Sequence, residues 1–596
     1  MTADTALLFI AAKTPEEGGY PGLCPSSQVR DGMLVERDVA VPMRDGTRIY
    51  VDVYRPEYVT DVPVLIAFGP YGKHNGFPPL LGAGADIEPP LPEGKPFEAP
   101  IAGYWVEHGY GVIYADPRGC WGSEGDASLF GRQEAEDGYD LVEWAGTRAW
   151  SNGRVGLSGV SYLAMSQYAI AATRPPHLAA INPSEGISDL YREAVFHGGI
   201  PETQFAVQLA GLVGFGRNKA EDVLGEIFAH PFRDEFWAAK TVDLERIEVP
   251  AFFVCSVGNQ GTHARGTLEA YRRCGSAQKW LDVHGRKEWR YYYAPAGMDR
   301  QRAFFDHFVK GVTTEVTSWP PVRVEYRDRT ETGPVRAETD WPPAHIRRTA
   351  MHLDGATGRL GPSTPPEPAT VGYDPTRCPT VPYRHAGEQK AVFTMTFDTT
   401  TDLAGPATLR LWAASPGADD MDVFVVLDKI DTHGQVVPYP FCAYLDDGPL
   451  AQGWMRASRR ELDPRLSTPD RPVQAHHRDI PLPAGEPVAL DIEIWPFTAH
   501  FHPGETLRLT IAGADIYRWP SEHFVNGHDL LNNTAPHILH TGQPHDSTLT
   551  LPMATHTSRY AQATTREASG HPIPSTLAIG LVTPSNGDIP VRAATQ

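Results

Sequence analysis

At 596 residues the chain is too long for a single hydrophobic core, so about two to four domains are expected. A hydrophobic fraction of 41% with 10% aromatics suits globular folding and excludes a disordered or fibrous chain. Asp and Glu outnumber Lys and Arg by 73 to 52, giving a net charge of −21, which argues against nucleic acid and anionic membranes as partners.

The first apolar run, residues 6–12, is too short for a membrane span and lacks the preceding positive charge of a signal peptide, so a cytoplasmic protein is expected. From residue 33 to 185 strands and helices alternate. Residues 48–54 show a period of two, and 63–68 form a continuous apolar run ended by Gly69-Pro70. A helical stretch at 101–108 precedes the apolar run 111–115. Residues 133–146 set Ala135, Tyr139, Val142 and Ala145 at helical spacing, and another apolar run occupies 178–181. After an interruption at 186–246, which carries helical segments, the rhythm resumes. A strand is predicted at 249–255, a helix near 265–274, a strand at 279–283 and a helix near 297–310. Continuous apolar strands between helices imply an α/β fold with a mostly parallel sheet covered on both faces, the interruption forming a cap. Beyond residue 316 short alternating segments such as 322–326 and 506–511 sit between Pro- and Gly-rich turns. That half reads as an all-β sandwich or jelly roll.

Six cysteines (Cys24, Cys120, Cys255, Cys274, Cys378, Cys442) lie far apart without a CxxC pair, so neither a disulfide framework nor a zinc knuckle is expected. His476, His477, His500, His502, His537 and His540 lack a completing cysteine or carboxylate cluster and read as strand-edge and turn residues. There is no phosphate-binding glycine loop, and no cofactor or metal is expected.

The chemistry is concentrated at residues 153–167, where a strand runs into Gly159-Val160-Ser161 and then a helix, the pattern of a nucleophile elbow. Such a turn strains the serine backbone and lifts the Ser161 hydroxyl clear at a helix N-terminus. It also aims the Tyr162 backbone N–H at an oxyanion. Leu163 stands where a second glycine is usual, and Ser158 falls on the strand side of the turn. The expectation is acyl chemistry through a serine ester.

Several motifs accompany the elbow in order: Gly69-Pro70-Tyr71-Gly72-Lys73, Asp116-Pro117-Arg118-Gly119 and Gly122-Ser123-Glu124-Gly125. In the β half come Gly453-Trp454-Met455-Arg456-Ala457-Ser458, Ile492-Glu493-Ile494-Trp495-Pro496 and His540-Thr541-Gly542. On these the chain resembles the cocaine-esterase / X-prolyl dipeptidyl-peptidase family of serine hydrolases over residues 33–590. The resemblance implies an α/β-hydrolase domain (33–185 and 247–315), a helical cap (186–246) and a C-terminal jelly-roll domain (316–596), after an N-terminal extension (1–32). It implies Ser161 as nucleophile, with the Tyr71 hydroxyl and the Tyr162 N–H as oxyanion donors. A homodimer is an assembly open to such a chain.

The triad partners depart from the pattern. Relatives follow the strand at 250–256 with a W-x-D segment, and here Asn259 occupies the carboxylate's place. An amide can orient an imidazole but cannot stabilise its charge. Many relatives carry a G-P-W-x-H segment whose histidine aligns with Glu288. His284, after the last strand, keeps the order Ser…acid…His and is taken as the base; His263 is a second candidate. Glu185, following the strand after the elbow helix, is the alternative acid. Trp121, Trp289 and Trp495 are candidates for a substrate pocket or for core. Two functions are therefore carried. One is a serine esterase, amidase or acyl transferase acting on a small-molecule acyl substrate. The other is a non-hydrolytic lyase, isomerase or binding protein on the same fold, with a degenerate triad.

Overall fold

A computed structural model describes residues 7–76, 86–88, 90–92, 95–377, 389–468, 471–521 and 523–555. Cys378 and residues 556–596 of the expected jelly-roll region lie outside them. Among the described residues, the first half of the chain forms an eleven-stranded mixed sheet. In chain order its strands are β1 (Ser26–Arg30), β2 (Met33–Pro42), β3 (Arg48–Pro56), β4 (Val62–Phe68), β5 (Gly111–Asp116) and β6 (Ser151–Val160). Then come β7 (Leu178–Ser184), β8 (Ala251–Ser256), β9 (Lys279–His284), β10 (Val322–Glu325) and β11 (Val335–Glu338). Across the sheet they run β11-β10-β9-β8-β7-β6-β4-β5-β3-β2-β1. From β5 through β4 and β6 to β10 neighbours are parallel, while β1, β2, β3 and β11 join antiparallel.

Two features of this order position the site. β5 and β6 lie on opposite sides of β4, so the topology switches there, and a crevice opens beyond the carboxyl ends of the strands. The register also keeps those ends level: Val160 faces Ser184, Ser184 faces Val254, and Ser256 faces His284. Loops leaving β6, β7, β8 and β9 therefore converge. Every residue of β4 is buried because both faces are covered. Helices Arg132–Gly146, Tyr162–Thr173 and Ala264–Arg273 contribute Leu141, Tyr168 and Leu268 to the core on one face. On the other, Trp105 and Phe304 come from Ala102–Glu107 and Pro295–Phe305.

The periodic elements fall where the residue pattern puts them, and three placements differ. Val322–Glu325 pairs parallel with β9, so the first sheet runs beyond residue 315. Phe9–Ala11, in the expected extension, pairs with Lys219–Glu221. Residues 186–246 hold the helices Phe205–Val213, Val223–Ala229 and Glu235–Ala239, together with short strands Phe196–His197 and Ile200–Pro201. Strands of two or three residues are too short to leave a period in the sequence. From Arg347–Asp354 to Thr548–Thr555 a C-terminal β domain packs its own core, with Leu507, Leu509 and Ile511 turned inward at a period of two. Cys24, Cys120, Cys255, Cys274 and Cys442 are free thiols, and no described helix is long and apolar enough to cross a membrane.

Candidate active site

Ser161 sits between β6 and the helix Tyr162–Thr173 with φ 58° and ψ −115°, a strained conformation for a non-glycine residue. Its N–H donates to the Ser184 carbonyl at 3.0 Å, and its own carbonyl accepts from Ala164 and Met165 at 2.9 and 3.0 Å. Gly159 makes the turn feasible: its φ is 150°, and a Cβ there would lie 2.5 Å from the Leu163 Cβ. Leu163 thus fits where a glycine is usual because the backbone beneath it carries no side chain. Tyr162 opens the helix, so its N–H is one of the helix's unpaired donors. Its phenol is held away by Glu134, accepting its hydrogen bond at 3.0 Å. Ser158 is buried and hydrogen-bonded to the Tyr292 hydroxyl at 2.8 Å.

The turn after β4 brings Tyr71 to the same point. Trp121 Nε1–H donates to the Pro70 carbonyl at 2.8 Å, and the Lys73 N–H donates to Asp116 at 2.8 Å, which anchors the turn to the end of β5. Lys73 Nζ is itself held by Asp38 and Asp52 at 2.5 and 2.9 Å. The Tyr71 ring packs edge-on against Phe97 and Tyr162, with its hydroxyl between Ser161 and Glu98. Burial, then the nearby Glu98 carboxyl, holds the phenol well above its ordinary pKa, so Tyr71 keeps its proton. Glu98 accepts from Trp289 Nε1–H at 3.1 Å, and burial followed by the Glu288 charge pushes its carboxyl well above the usual range. Among the three tryptophans singled out, Trp289 alone reaches this cluster. Trp121 stacks on Phe215, and Trp495 packs on Trp454.

The imidazole beside Ser161 is that of His263: Ser161 Oγ lies 3.1 Å from its Nε2. The loop after β8 turns at Gly261 (φ 87°), where any Cβ would meet Asn526. His263 then caps the helix Ala264–Arg273. Its Nδ1 faces Glu288 Oε2 at 3.2 Å, with both side chains buried. Glu288 begins the helix Glu288–Tyr293, where the helix dipole favours an anion. Asn259 joins the pair. Its Nδ2 lies 2.6 Å from His263 Nδ1 and donates to Glu288 Oε2, while Thr262 Oγ–H donates to its Oδ1. Two nitrogens thus converge on one carboxylate oxygen. A neutral His263 with its proton on Nδ1 presents a bare Nε2 to Ser161, the tautomer a base requires.

His284, the residue expected in that role, is elsewhere. It ends β9, stacks on Tyr291 at 3.9 Å between ring centroids, and accepts the Arg286 N–H on Nδ1 at 3.2 Å. Burial, then the Arg286 charge, pushes its pKa down to about 3, so the ring is neutral. Its Nε2 faces Glu185 Oε1 at 3.6 Å rather than Ser161. Asn259 does lie at the imidazole, but the charge there comes from Glu288, which the residue pattern did not single out for a role. Glu185 is brought close behind Glu288, and Ser256 N–H donates to its Oε1 at 2.5 Å.

Glu185, His263 and Glu288 each bring one oxygen or nitrogen within 4.8 Å of the others. His263 spends both ring nitrogens on Ser161 and Glu288, so this set has no spare imidazole lone pair for a cation. At Asp328, His502 and Glu505 the Lys429 ammonium fills the equivalent position, 2.8 Å from Asp328 and 2.7 Å from Glu505.

Residues 45–222 match the model of the X-Pro dipeptidyl-peptidase (S15) family, and 314–550 match the X-Pro dipeptidyl-peptidase C-terminal non-catalytic domain. Cocaine esterase from Rhodococcus sp. (strain MB1 Bresler) is 28% identical over 386 residues, which cover 54% of this chain and 62% of that protein. The chain thus aligns with less than two thirds of that relative's length. A CocE/NonD family hydrolase from Staphylococcus aureus superposes with a TM-score of 0.84 at 33% identity, over 91% of this chain and 99% of that one. An α-amino acid ester hydrolase shares the fold, with a TM-score of 0.66 at 17% identity over 93% of this chain and 100% of the other. The sheet is accordingly that of an α/β hydrolase, followed by a C-terminal β domain. The chain belongs to the cocaine-esterase / X-prolyl dipeptidyl-peptidase family of hydrolytic enzymes.

Proposed function

We propose that the protein is a serine hydrolase that cleaves an ester or amide of a small acyl group through an acyl-enzyme on Ser161. His263 serves as base, Glu288 as its carboxylate, and Tyr71 O–H with Tyr162 N–H as the oxyanion hole. The observation carrying this reading is the continuous chain Ser161 Oγ, His263 Nε2, His263 Nδ1, Glu288 Oε2, with separations of 3.1 Å and 3.2 Å at its two contacts.

Ser161 Oγ attacks the acyl carbon as its proton passes to His263 Nε2. The carbonyl electrons move onto oxygen, which the Tyr71 and Tyr162 donors receive. The imidazolium then protonates the departing alcohol or amine, and the carbonyl re-forms as the acyl-enzyme. Water, deprotonated by the same nitrogen, repeats the sequence and frees the acid; another acceptor in its place gives acyl transfer. The Tyr71 phenol, which keeps its proton, has it available for the oxyanion. Each such donor contributes roughly 10²–10³ in rate. Residues 186–246 act as a cap over this site, and the β domain from about residue 339 is a jelly roll. The non-hydrolytic alternative drew its force from Asn259, and the Glu288 carboxyl facing His263 weighs against it.

A fluorophosphonate probe tests the reading. Labelling is expected in the unsubstituted protein and absent from Ser161→Ala; equal labelling of both, or of neither, sinks it. A panel of simple esters and aminoacyl amides then separates esterase from amidase.

A further inference from the structure

Glu185 is the ionisable group at this site that the chemistry above leaves unused. It directly follows β7 with a φ of 57° and is 1% exposed; Glu288 is 4% exposed, and one oxygen of each lies within 4.8 Å of the other. Among the described residues no lysine or arginine ion-pairs with either carboxyl, while His284 faces Glu185 and His263 faces Glu288. From this geometry we propose that the two carboxyls hold one proton between them. Glu185 is then the neutral member of the pair.

The hydrogen-bond directions say which oxygen carries the proton. His284 accepts the Arg286 N–H on Nδ1, so its own proton is on Nε2, the atom facing Glu185 Oε1. Oε1 also receives the Ser256 N–H. The Ser256 bond makes Oε1 the acceptor and leaves the proton to Oε2; Oε2 and the His284 Nε2, 3.6 Å from Oε1, are both buried without a hydrogen-bond partner. The remaining titratable groups facing Glu185 are Cys255 on β8, Tyr168 on the elbow helix, and His263. Burial keeps Cys255 and Tyr168 protonated and uncharged. Burial first, then the Glu288 charge, holds the Glu185 carboxyl well above the ordinary carboxylate range. A neutral Glu185 leaves Glu288 as the one carboxylate facing His263.

The inference rests on the Ser161–His263–Glu288 reading, and fluorophosphonate labelling rates followed from about pH 5 to about pH 9 test the two separately. Glu185→Gln, isosteric with a neutral carboxyl, is expected to label within about threefold of the unsubstituted enzyme, with the midpoint of the acid limb unmoved. Glu288→Gln is expected to be slower by at least about 10²-fold. A midpoint lowered by about one unit or more in Glu185→Gln would reveal a lost negative charge and overturn the proposal. A loss as large as that of Glu288→Gln would do the same. No labelling of the unsubstituted enzyme overturns the serine-hydrolase reading itself, and this inference with it. Should thermal melting show Glu185→Gln unfolded, Glu185→Met, similar in length and uncharged, is expected to leave the same midpoint in place.

Discussion

Glu288→Gln removes the charge facing His263 while keeping the size of the side chain. Oε2 and Nδ1 lie 3.2 Å apart and both residues are buried. At an effective dielectric of about 20, unit charges at that separation attract by about 5 kcal/mol. The attraction exists only while the ring is imidazolium, so it lowers the barrier rather than strengthening substrate binding. At about 1.4 kcal/mol per factor of ten, the substitution should cost between about 10³ and 10⁴ in kcat/KM, nearly all of it in kcat. Pre-steady-state hydrolysis of a nitrophenyl ester near pH 8 would measure it, since a burst isolates acylation from deacylation. A variant retaining more than about a tenth of the activity would refute the argument, because the charge relieving His263 would then have to come from elsewhere.

Three other outcomes are expected. His263→Ala should fall by at least about 10³-fold in the same assay, whereas His284→Phe, which keeps the stack on Tyr291, should stay within about tenfold and lose mainly thermal stability; the reverse order would restore His284 as the base. Tyr71→Phe should lower kcat by roughly 10²–10³ with little change in KM, as loss of one oxyanion donor requires, and an unchanged kcat would remove Tyr71 from the hole. The third concerns stability: burial pushes Glu134 from 4.5 up to about 7, so the folded state holds a proton that the unfolded state releases. Stability should therefore fall as pH rises from about 4.5 to about 7, by ~3 kcal/mol for this group. Glu134→Gln should flatten that part of the urea-unfolding profile; an unchanged slope in the variant would show that Glu134 is not its source.

The elbow and the sheet were legible because both depend on local pattern. Continuous apolar strands have one stable use, and the Gly159–Ser161 turn needs particular residues at particular spacings. The triad partners were not legible in the same way. His263 stands in the loop after β8 and Glu288 opens the helix after β9, 25 residues apart, and the place of His284 after the last strand favoured it instead. What put His284 out of reach is the packing of Tyr291 against its ring, a tertiary contact that no period or motif encodes. Signals were nevertheless present: a carboxylate at the position aligned with the relatives' histidine, and a histidine four residues after the amide that replaces their acid. Each looks like a defect alone, and only the pair of departures carries the meaning. The short strands at Phe196–His197 and Lys219–Glu221 escaped for a plainer reason, being shorter than any detectable alternation.

Taken together, those departures describe an exchange. The W-x-D and G-P-W-x-H segments that the resemblance implies put the acid after the strand equivalent to β8 and the base after the strand equivalent to β9; in the proposed reading the base follows β8 and the acid follows β9. The parallel sheet tolerates either order because β8 and β9 end in register, Ser256 against His284, and both loops open into the same crevice beside Ser161. Coulomb attraction depends on the separation of Nδ1 and the carboxylate, not on which loop supplies which. The exchange also accounts for Asn259. With Glu288 already at His263 Nδ1 and Glu185 close by, an aspartate at 259 would press a third acid into a buried site where, among the described residues, no lysine or arginine ion-pairs with Glu185 or Glu288. Two like charges at such range cost several kcal/mol in a poorly solvated interior. An amide instead donates to Glu288 Oε2. On the proposed reading, the residue that looks like the loss of a catalytic acid is what a relocated acid requires beside it.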